Sequence, residues 1–344
     1  NWEKVLNDNS IELVEIEDNL IDKNWSDRPE PAFSLALLLN ESFTGESSQS
    51  KRQRIGADIA ESGAEVAIIS QLDSIAWLLN IRGSDVPRLP VLLSFATLSA
   101  DGNMVLFTDP RKLPNEFNQH VGDRVTVKSL DDLKQSLKDL GNSGAKILAD
   151  PATANAWCQL RCKEAGATLI NGIDPVLIPK AQKNSTELAG MRNCHVRDGS
   201  AVTRYLAWIE AEVMSGNLHN EGELSDKLES FRRELSDIQD LSFDTISAAG
   251  ANGALRHYNH MNGTPAPLEM DNLYLVDSGG QYLDGTTDIT RTVVVGEPSE
   301  EHRRMFTLVL KGHIALARAV FPRGTTGTQL DILARQFLWS DGLD

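Results

Sequence analysis

The chain has 344 residues, a length that suggests two domains with room for part of a third, and 41% hydrophobic and 24% charged residues are ordinary for a soluble globular protein. This composition excludes collagen, wholesale disorder and a disulfide scaffold. The net charge of −16 has no offsetting basic patch, and no run of about 18 apolar residues is present. We therefore expect neither a nucleic-acid partner nor a membrane partner.

The three cysteines indicate the redox environment. Cys158, Cys162 and Cys194 are odd in number, and the first two lie four residues apart in a helical pattern. That spacing fits neither a zinc ribbon nor a redox pair. We predict reduced thiols, which favour a cytoplasmic location.

The first part of the chain is predicted to contain one complete α/β domain. Residues 1–50 are acidic and end in a polar stretch, which indicates the tail of a preceding domain plus a linker. An α/β domain is predicted over 51–175. Its predicted helices are 51–62, 130–140 and 153–165, and its predicted strands are 65–70, 91–99, 104–108, 125–129, 146–150 and 168–171.

A second domain is predicted over 180–344, because two prolines in 173–179 make helix continuation unfavourable. Helix–helix–strand order followed by a second helix pair suggests a duplicated unit that is cut before its second set of strands. We expect the chain to be truncated at both ends. The predicted helices are 184–214, 221–235, 300–320 and 328–339, and the predicted strands are 243–248, 273–277 and 288–295.

The stretch 273–295 carries the clearest chemical pattern, with Asp277 ending one apolar run and Asp288 beginning the next. A turn centred on Tyr282-Leu283 would place these residues directly opposite, whereas a turn centred on Asp284-Gly285 would place Asp277 opposite Thr292. With either turn the two carboxylates share a face. Spacing alone leaves open that both are strand-end residues with local backbone hydrogen bonds.

Two carboxylates on one partly buried face repel each other unless a proton or a cation intervenes. A pair of hard divalent cations such as Mn²⁺ or Mg²⁺ is one resolution. Two metals about 3.5–4 Å apart activate a water-derived nucleophile and polarise a carbonyl group. His257 and His260 lie shortly before the first strand, where a histidine is able to stabilise an oxyanion. Either histidine also fits an ordinary loop residue.

Other catalytic and nucleotide-binding patterns are absent from the sequence. There is no G-x-S-x-G elbow, no P-loop, no G-x-G-x-x-G after a strand and no H-E-x-x-H helix. His195 and His313 fall inside predicted helices, where we expect packing or surface roles. The acidic pair and the two loop histidines therefore remain the candidates for chemistry.

The sequence around these residues resembles the Xaa-Pro aminopeptidase (aminopeptidase P) family of metallopeptidases, over about residues 50 to 344. It is similar to the long, three-domain type, with two creatinase-like domains before a pita-bread catalytic domain. The fold class implied is α/β (α+β), with an incomplete catalytic domain. The matching segments are Asp277-Ser-Gly-Gly-Gln-Tyr-Leu-Asp-Gly-Thr-Thr-Asp-Ile-Thr-Arg-Thr292, Arg256-His-Tyr258, Lys311-Gly-His-Ile-Ala315, Leu72-Asp-Ser-Ile-Ala-Trp-Leu-Leu-Asn-Ile-Arg-Gly-Ser-Asp85, Lys183-Asn-Ser-Thr-Glu187 and Met191-Arg192.

The resemblance implies removal of the N-terminal residue from peptides with proline second, by a hydroxide that bridges two metal ions, most often Mn²⁺. Asp277 matches the ligand of one metal, Asp288 the ligand that bridges both, and His257 the substrate-side histidine. The remaining ligands, one His and two Glu, are expected beyond residue 344. We therefore expect the chain as given to be inactive, and the full-length protein to form a homodimer.

Three other activities or roles occur on this fold. A prolidase would cleave Xaa-Pro dipeptides, but the context Gln281-Tyr-Leu-Asp-Gly-Thr286 favours the aminopeptidase. A creatinase would need no metal, and a metal-free pita-bread module would bind peptides or histones. Retention of Asp277, Asp288 and His257 disfavours both metal-free alternatives.

Overall fold

The computed structural model describes residues 2–14, 16, 19–29 and 33–344. It divides into two compact units, Asn1–Ser34 and Leu35–Asp344. The acidic tail predicted over 1–50 includes residues 1, 15, 17, 18 and 30–32, which lie outside the described residues. The helices are α1 (Trp2–Asp8), α2 (Leu20–Asn24), α3 (Glu41–Thr44), α4 (Ser48–Glu61), α5 (Leu72–Leu79), α6 (Phe117–Val121), α7 (Leu133–Asn142), α8 (Ala156–Glu164), α9 (Leu177–Ala181), α10 (Ser185–Met214), α11 (Glu221–Arg233), α12 (Glu300–Ala317) and α13 (Gly327–Trp339).

The strands of the larger unit form one six-stranded sheet and three smaller sheets. The strands are β1 (Leu37–Leu38), β2 (Val66–Ile69), β3 (Ile81–Arg82), β4 (Phe95–Ser99), β5 (Met104–Phe107), β6 (Val125–Lys128), β7 (Lys146–Ala149), β8 (Thr168–Asn171), β9 (Ile238–Leu241), β10 (Ile246–Ala249), β11 (Asn272–Ser278), β12 (Gly280–Tyr282), β13 (Gly285–Thr286) and β14 (Ile289–Val295). The six-stranded sheet has the order β6-β5-β4-β2-β7-β8, and Asp277 lies on β11 of the three-stranded sheet β10-β11-β14.

The six-stranded sheet is covered by helices on both faces, and its sequence shows why. All four residues of β2 are buried, as expected for a central strand with an uninterrupted apolar run. Ile69 packs with Ile55 of α4 on one face. On the other face Ile68 packs with Leu137 of α7. This confirms the predicted α/β domain around a single mixed sheet.

Helices α10 and α11 form the support for the three-stranded sheet. Each begins with a capping box, in which Asn184 pairs with Glu187 and Asn220 pairs with Glu223. Both helix starts are therefore confirmed at the residues that the sequence indicated. Their apolar residues share one core with the inner face of β11, and its members include Tyr205, Ile209, Leu224, Leu228, Tyr274 and Val276.

The structure differs from the prediction at two places. The strand predicted over 243–248 corresponds to β10, which begins three residues later, and β9, in a different sheet, was not predicted. A short helix, α9, begins inside the segment 173–179, where two prolines made helix continuation unfavourable in the prediction. Pro179 is the third residue of that helix, where the missing N–H group has no intrahelical partner to lose.

The connection between β11 and β14 is a continuous hairpin. Tyr282 pairs with Gly285 at its tip, so the turn is Leu283–Asp284. This turn lies between the two alternatives that the sequence left open. Gly279 is required in the hairpin, because a Cβ atom there would lie 1.9 Å from the carbonyl oxygen of Thr287.

We expect Gly279→Ala to lower the free energy of unfolding by about 1–3 kcal/mol, the usual cost of overpacking. The added methyl group would also lie 2.3 Å from the hydroxyl oxygen of Ser242, so the strands must move apart. Denaturant unfolding of the full-length protein would measure the change. Gly199→Ala is the control, since nothing lies within 4 Å of its Cβ position in α10. Equal midpoints for both variants would contradict the prediction.

Candidate metal centre

Asp277 and Asp288 lie on one face of the β11–β14 ladder. Asp277 pairs with Thr290, and Asp288 directly precedes β14. Thr290 and Asp288 are two residues apart and therefore point the same way, which places Asp288 diagonally across from Asp277. The predicted common face is confirmed, although neither predicted register is.

The electrostatics of this pair are unfavourable as it stands. Burial raises the pKa of Asp277, the nearby Asp288 carboxylate raises it further, and a hydrogen bond with the Thr290 side chain opposes both effects. The Oδ1 atom of Asp277 is buried and has no hydrogen-bond partner among the described residues. Buried acceptors without a partner are rare in folded proteins. A cation between the two carboxylates would remove the repulsion and occupy the unmet oxygen.

The donor set fits a hard divalent ion but does not complete its coordination. Both candidate ligands are carboxylate oxygens, which suit Mn²⁺ or Mg²⁺. Among the residues that the structure describes, no group of three or more His, Cys, Asp or Glu side chains is placed to hold a metal. Asp277 and Asp288 alone therefore do not complete a coordination sphere within the described residues.

His257 lies in the loop between β10 and β11, outside both carboxylate-bearing strands. The loop begins with a 3₁₀ helix, Gly250–Ala254, in which the Cβ position of Gly253 is 3.5 Å from Leu275 Cβ. Leu275 and Asp277 are two residues apart on β11, so their side chains project from the same face. The start of the loop that carries His257 is therefore packed on the face that carries the carboxylates.

The histidines have different environments. His257 is exposed and has a left-handed backbone with φ of 54°, a conformation uncommon outside glycine. His260 is buried, and its Nδ1 atom has no partner among the described residues. His195 and His313 are exposed residues of α10 and α12, as the helical patterns predicted.

A buried ion pair anchors the hairpin tip to α10 and α11. Arg232 Nε lies 2.7 Å from Asp198 Oδ1, and Arg232 Nη2 lies 3.1 Å from Oδ2. The Tyr282 hydroxyl donates to the same Asp198 Oδ1 at 2.7 Å. Burial acts to raise the pKa of Asp198, but the hydrogen bonds and charge of Arg232 outweigh it and lower the pKa. The sequence patterns did not identify this pair.

Residues before the second predicted domain contact the hairpin and the elements beside it. Arg88, in the loop after β3, donates to Asp244 at 2.9 Å and to Asp240 of β9 at 2.6 Å. The Arg88 carbonyl oxygen accepts from Gln281 Nε2 of the hairpin at 3.1 Å. Trp77 Nε1 donates to Glu187 of α10 at 3.0 Å. The loop after β3 therefore contacts the hairpin at Gln281 and the neighbouring β9.

A cavity of about 590 Å³ lies between the loop after β3 and the hairpin tip. Lys51 lines it, and burial lowers the pKa of Lys51 to about 8. Its ammonium group donates to Asn80 Oδ1 at 2.7 Å and to the Trp77 carbonyl oxygen at 3.1 Å. The cavity lining includes Gln281 and Thr286 of the hairpin but neither Asp277 nor Asp288.

The remaining sequence expectations concern cysteines and membranes. Cys158, Cys162 and Cys194 are free and buried, which confirms the predicted thiols. Burial raises their pKa values to about 12, about 11 and about 11, so they are poor nucleophiles at neutral pH. In the described part of the chain, no helix is both long and apolar enough to cross a membrane.

Comparison with known families agrees with this architecture. Residues 27–187 match the creatinase/prolidase N-terminal domain, and residues 189–344 match metallopeptidase family M24. The chain therefore belongs to metallopeptidase family M24, among the members with a creatinase/prolidase N-terminal domain.

Individual relatives define the resemblance more closely. A probable Xaa-Pro aminopeptidase P of Leptosphaeria maculans is 42% identical over 97% of this chain and 56% of its own length. The corresponding Aspergillus flavus protein is 41% identical over 99% of this chain and 53% of its own. The chain thus spans about half the length of the curated relatives it matches.

Solved structures give the same result. X-prolyl aminopeptidase from Caenorhabditis elegans, a cytosolic enzyme with a di-nuclear active site, superposes with a TM-score of 0.92 and is 34% identical, covering 99% of this chain and 56% of that one. Xaa-Pro dipeptidase from Bacillus anthracis has a TM-score of 0.67 and 23% identity over 86% of this chain and 78% of that one. The second likeness is one of fold alone.

We expect Arg232→Ala to destabilise the full-length protein by about 3–5 kcal/mol, because it leaves the Asp198 carboxylate buried without its cation. Arg233→Ala is the matched control. That neighbouring side chain is 43% exposed and pairs with Glu229, so its loss should cost about 1 kcal/mol or less. Thermal unfolding would compare the two variants, and similar shifts in Tm would show that the buried pair has no special role.

Proposed function

We propose that the full-length protein is a metal-dependent aminopeptidase that releases the N-terminal residue from peptides with proline at the second position. The observation that carries the proposal is the Asp277–Asp288 pair, with its unmet buried oxygen. It occurs in a chain that belongs to metallopeptidase family M24 and is about two-fifths identical to aminopeptidase P relatives.

In this proposal Asp277 would be a ligand of one divalent ion and Asp288 a ligand shared by two, with Mn²⁺ as the expected metal. When bound, such ions lower the pKa of an attacking water and polarise the scissile carbonyl group. By family resemblance, one His and two Glu beyond residue 344 complete the site. The chain's own contribution is to fix two carboxylates on adjacent strands, so that little reorganisation is needed when the metals bind.

His257 is proposed to act on the substrate side. It lies outside the two carboxylate strands, in a loop whose start is packed on their carboxylate face, and its side chain is exposed. A hydrogen bond from its imidazole to the substrate carbonyl oxygen would stabilise the negative charge that develops there. This role requires no metal–His257 bond.

The proposal also includes the domain limits, the cellular location and the oligomeric state of the protein. The domain limits are 51–175 for the amino-terminal α/β domain and 180–344 for the part of the catalytic domain present. The remaining proposals are a cytoplasmic location and a homodimer. The Caenorhabditis elegans relative is a cytosolic enzyme, which supports the proposed location.

Elemental analysis of the full-length protein, followed by peptide assays, tests the activity. We expect two divalent ions per chain, loss of activity on chelation, and recovery with Mn²⁺. Substrates should be Xaa-Pro peptides of two, three and five residues, with matched peptides carrying alanine second. Hydrolysis of the longer proline peptides supports the proposal. Hydrolysis restricted to the dipeptide would instead assign a prolidase, and a metal-free, inactive protein would assign a binding module.

We expect Asp288→Asn to remove both metals or nearly both, because the proposed bridging carboxylate contacts two ions. Asp277→Asn should weaken mainly one. Elemental analysis of the purified full-length variants measures the difference, and Asp226→Asn, an exposed residue of α11, is the control. Equal metal content in the Asp288 and Asp277 variants would count against the assignment.

We expect His257→Ala to retain its metals but to lose turnover by about 10²–10³-fold, the usual effect of removing an oxyanion donor. The exposed helical residue His195 supplies the control substitution His195→Ala, which should have normal turnover. Loss of metal together with activity in His257→Ala would mean that His257 is a ligand and not a substrate-side residue.

A further inference from the structure

Glu221 has an unusual environment for a carboxylate. It is the first residue of α11 and is fully buried. Its Oε1 atom accepts from the Ala249 N–H at 2.8 Å and from Asn252 Nδ2 at 2.9 Å. Its Oε2 atom accepts from the Tyr258 hydroxyl at 2.8 Å and from the Ala266 N–H at 2.9 Å. All four donors belong to the segment 249–266, which contains His257.

These contacts bracket the loop. Ala249 is the last residue of β10, Asn252 lies in the 3₁₀ helix, and Ala266 is near the far end of the loop. The Ala266 carbonyl oxygen also accepts from the Glu221 N–H at 3.0 Å. The Glu221 side chain therefore fixes the loop at three places: where the loop leaves β10, within the loop, and near its far end.

The charge of Glu221 suits this arrangement. Burial acts to raise its pKa, but the four hydrogen bonds outweigh burial and lower the pKa, so the carboxylate is ionised at neutral pH. Its position in the first turn of α11 adds the favourable field of the helix N-terminus. Burial and the hydrogen bond to Glu221 raise the pKa of Tyr258, which keeps the phenol protonated as a donor.

Tyr258 links this network to His257. The two residues are adjacent, and His257 has the left-handed φ of 54°. A side-chain-bearing residue keeps such a conformation only where the surrounding structure determines it. The Tyr258–Glu221 hydrogen bond constrains the backbone on the carboxyl side of His257. The Asn252–Glu221 hydrogen bond constrains it on the amino side.

We propose that Glu221 is a positioning residue that holds the loop so that His257 faces the substrate. The inference rests on the proposed function for the role of His257, although the contacts that order the loop do not. Glutamine has the same shape but replaces one acceptor oxygen with an NH₂ group, which would face two donors. Glu221→Gln should therefore loosen the loop without emptying a large volume.

The first readout does not depend on activity. Hydrogen–deuterium exchange of the full-length, metal-loaded protein should be faster over 250–259 in Glu221→Gln than in the wild type, and unchanged over β11 and β14. Glu223→Gln is the matched control. Glu223 belongs to the capping box of the same helix and accepts from the Asn220 N–H at 3.0 Å. Its other side-chain partner is His219, so neither contact reaches the His257 loop. Unchanged exchange over 250–259 in Glu221→Gln would overturn the proposal.

The second readout separates positioning from a general structural effect. Glu221→Gln should lower kcat by about 10- to 100-fold, the usual effect of changing a residue that orients a functional side chain through hydrogen bonds. KM and metal content should stay near wild type. Tyr258→Phe loses one of the four hydrogen bonds to Glu221 and should lower kcat by a smaller factor. This variant replaces Glu221→Gln in the test if Glu221→Gln folds poorly. In the His257→Ala background, Glu221→Gln should lower kcat no further.

The outcomes distinguish this inference from the proposed function. If the Glu221 and His257 effects multiply, Glu221 acts independently of His257 and the inference is wrong. If His257→Ala has normal turnover in an active enzyme, His257 is not catalytic and a role in positioning it also fails. If the wild-type protein lacks Xaa-Pro hydrolysis, the proposed function fails, whereas the exchange measurement still decides whether Glu221 orders the loop.

Discussion

The antiparallel register between β11 and β14 is the constraint on which the candidate site depends. It places Thr290 opposite Asp277 and leaves Asp288 diagonally across on the same face. A slip of one residue would turn Asp288 to the other face of the sheet. The hairpin has no room for such a slip, because Gly279 lies against the main chain of Thr287 and the Tyr282 hydroxyl is held by Asp198 at 2.7 Å.

Three buried or partly buried carboxylates around this hairpin are stabilised in different ways. Asp198 is neutralised by Arg232, and Glu221 is surrounded by four neutral donors. Asp277 has neither arrangement, since one oxygen lacks a partner and the nearest charge is another carboxylate. Because buried charges are normally paired or bind metals, this contrast supports the proposed metal site at Asp277 and Asp288.

The hairpin also contacts a residue far from it in sequence. Arg88, in the loop after β3, contacts Asp240, Asp244 and Gln281. Each contact alone is a partly exposed interaction of modest energy. Together they connect the loop after β3 to β9 and to β12 of the hairpin.

The sequence by itself determined the elements whose signals are local. Apolar periodicity located the long helices, and Asn184 and Asn220, whose side chains cap α10 and α11, stand at or directly before the predicted helix starts. The short gap between the predicted strands 91–99 and 104–108 contains Asp101-Gly102, a pair typical of hairpin turns, and β4 and β5 pair across it. The alternation of side chains along a strand was enough to place Asp277 and Asp288 on one face. Any register with an even number of turn residues keeps the two side chains on the same face. The family motifs supplied the chemistry expected of that pair.

Tertiary structure alone decided the rest. The turn at Leu283–Asp284 depends on how the hairpin packs against α10, and the separation of β9 from β10 depends on pairing with β12. An acidic residue in the first turn of a helix, such as Glu221, is an ordinary feature in sequence. Its four partners lie 28 to 45 residues away, and no local pattern specifies contacts of that range, because they form only when the chain folds back on itself.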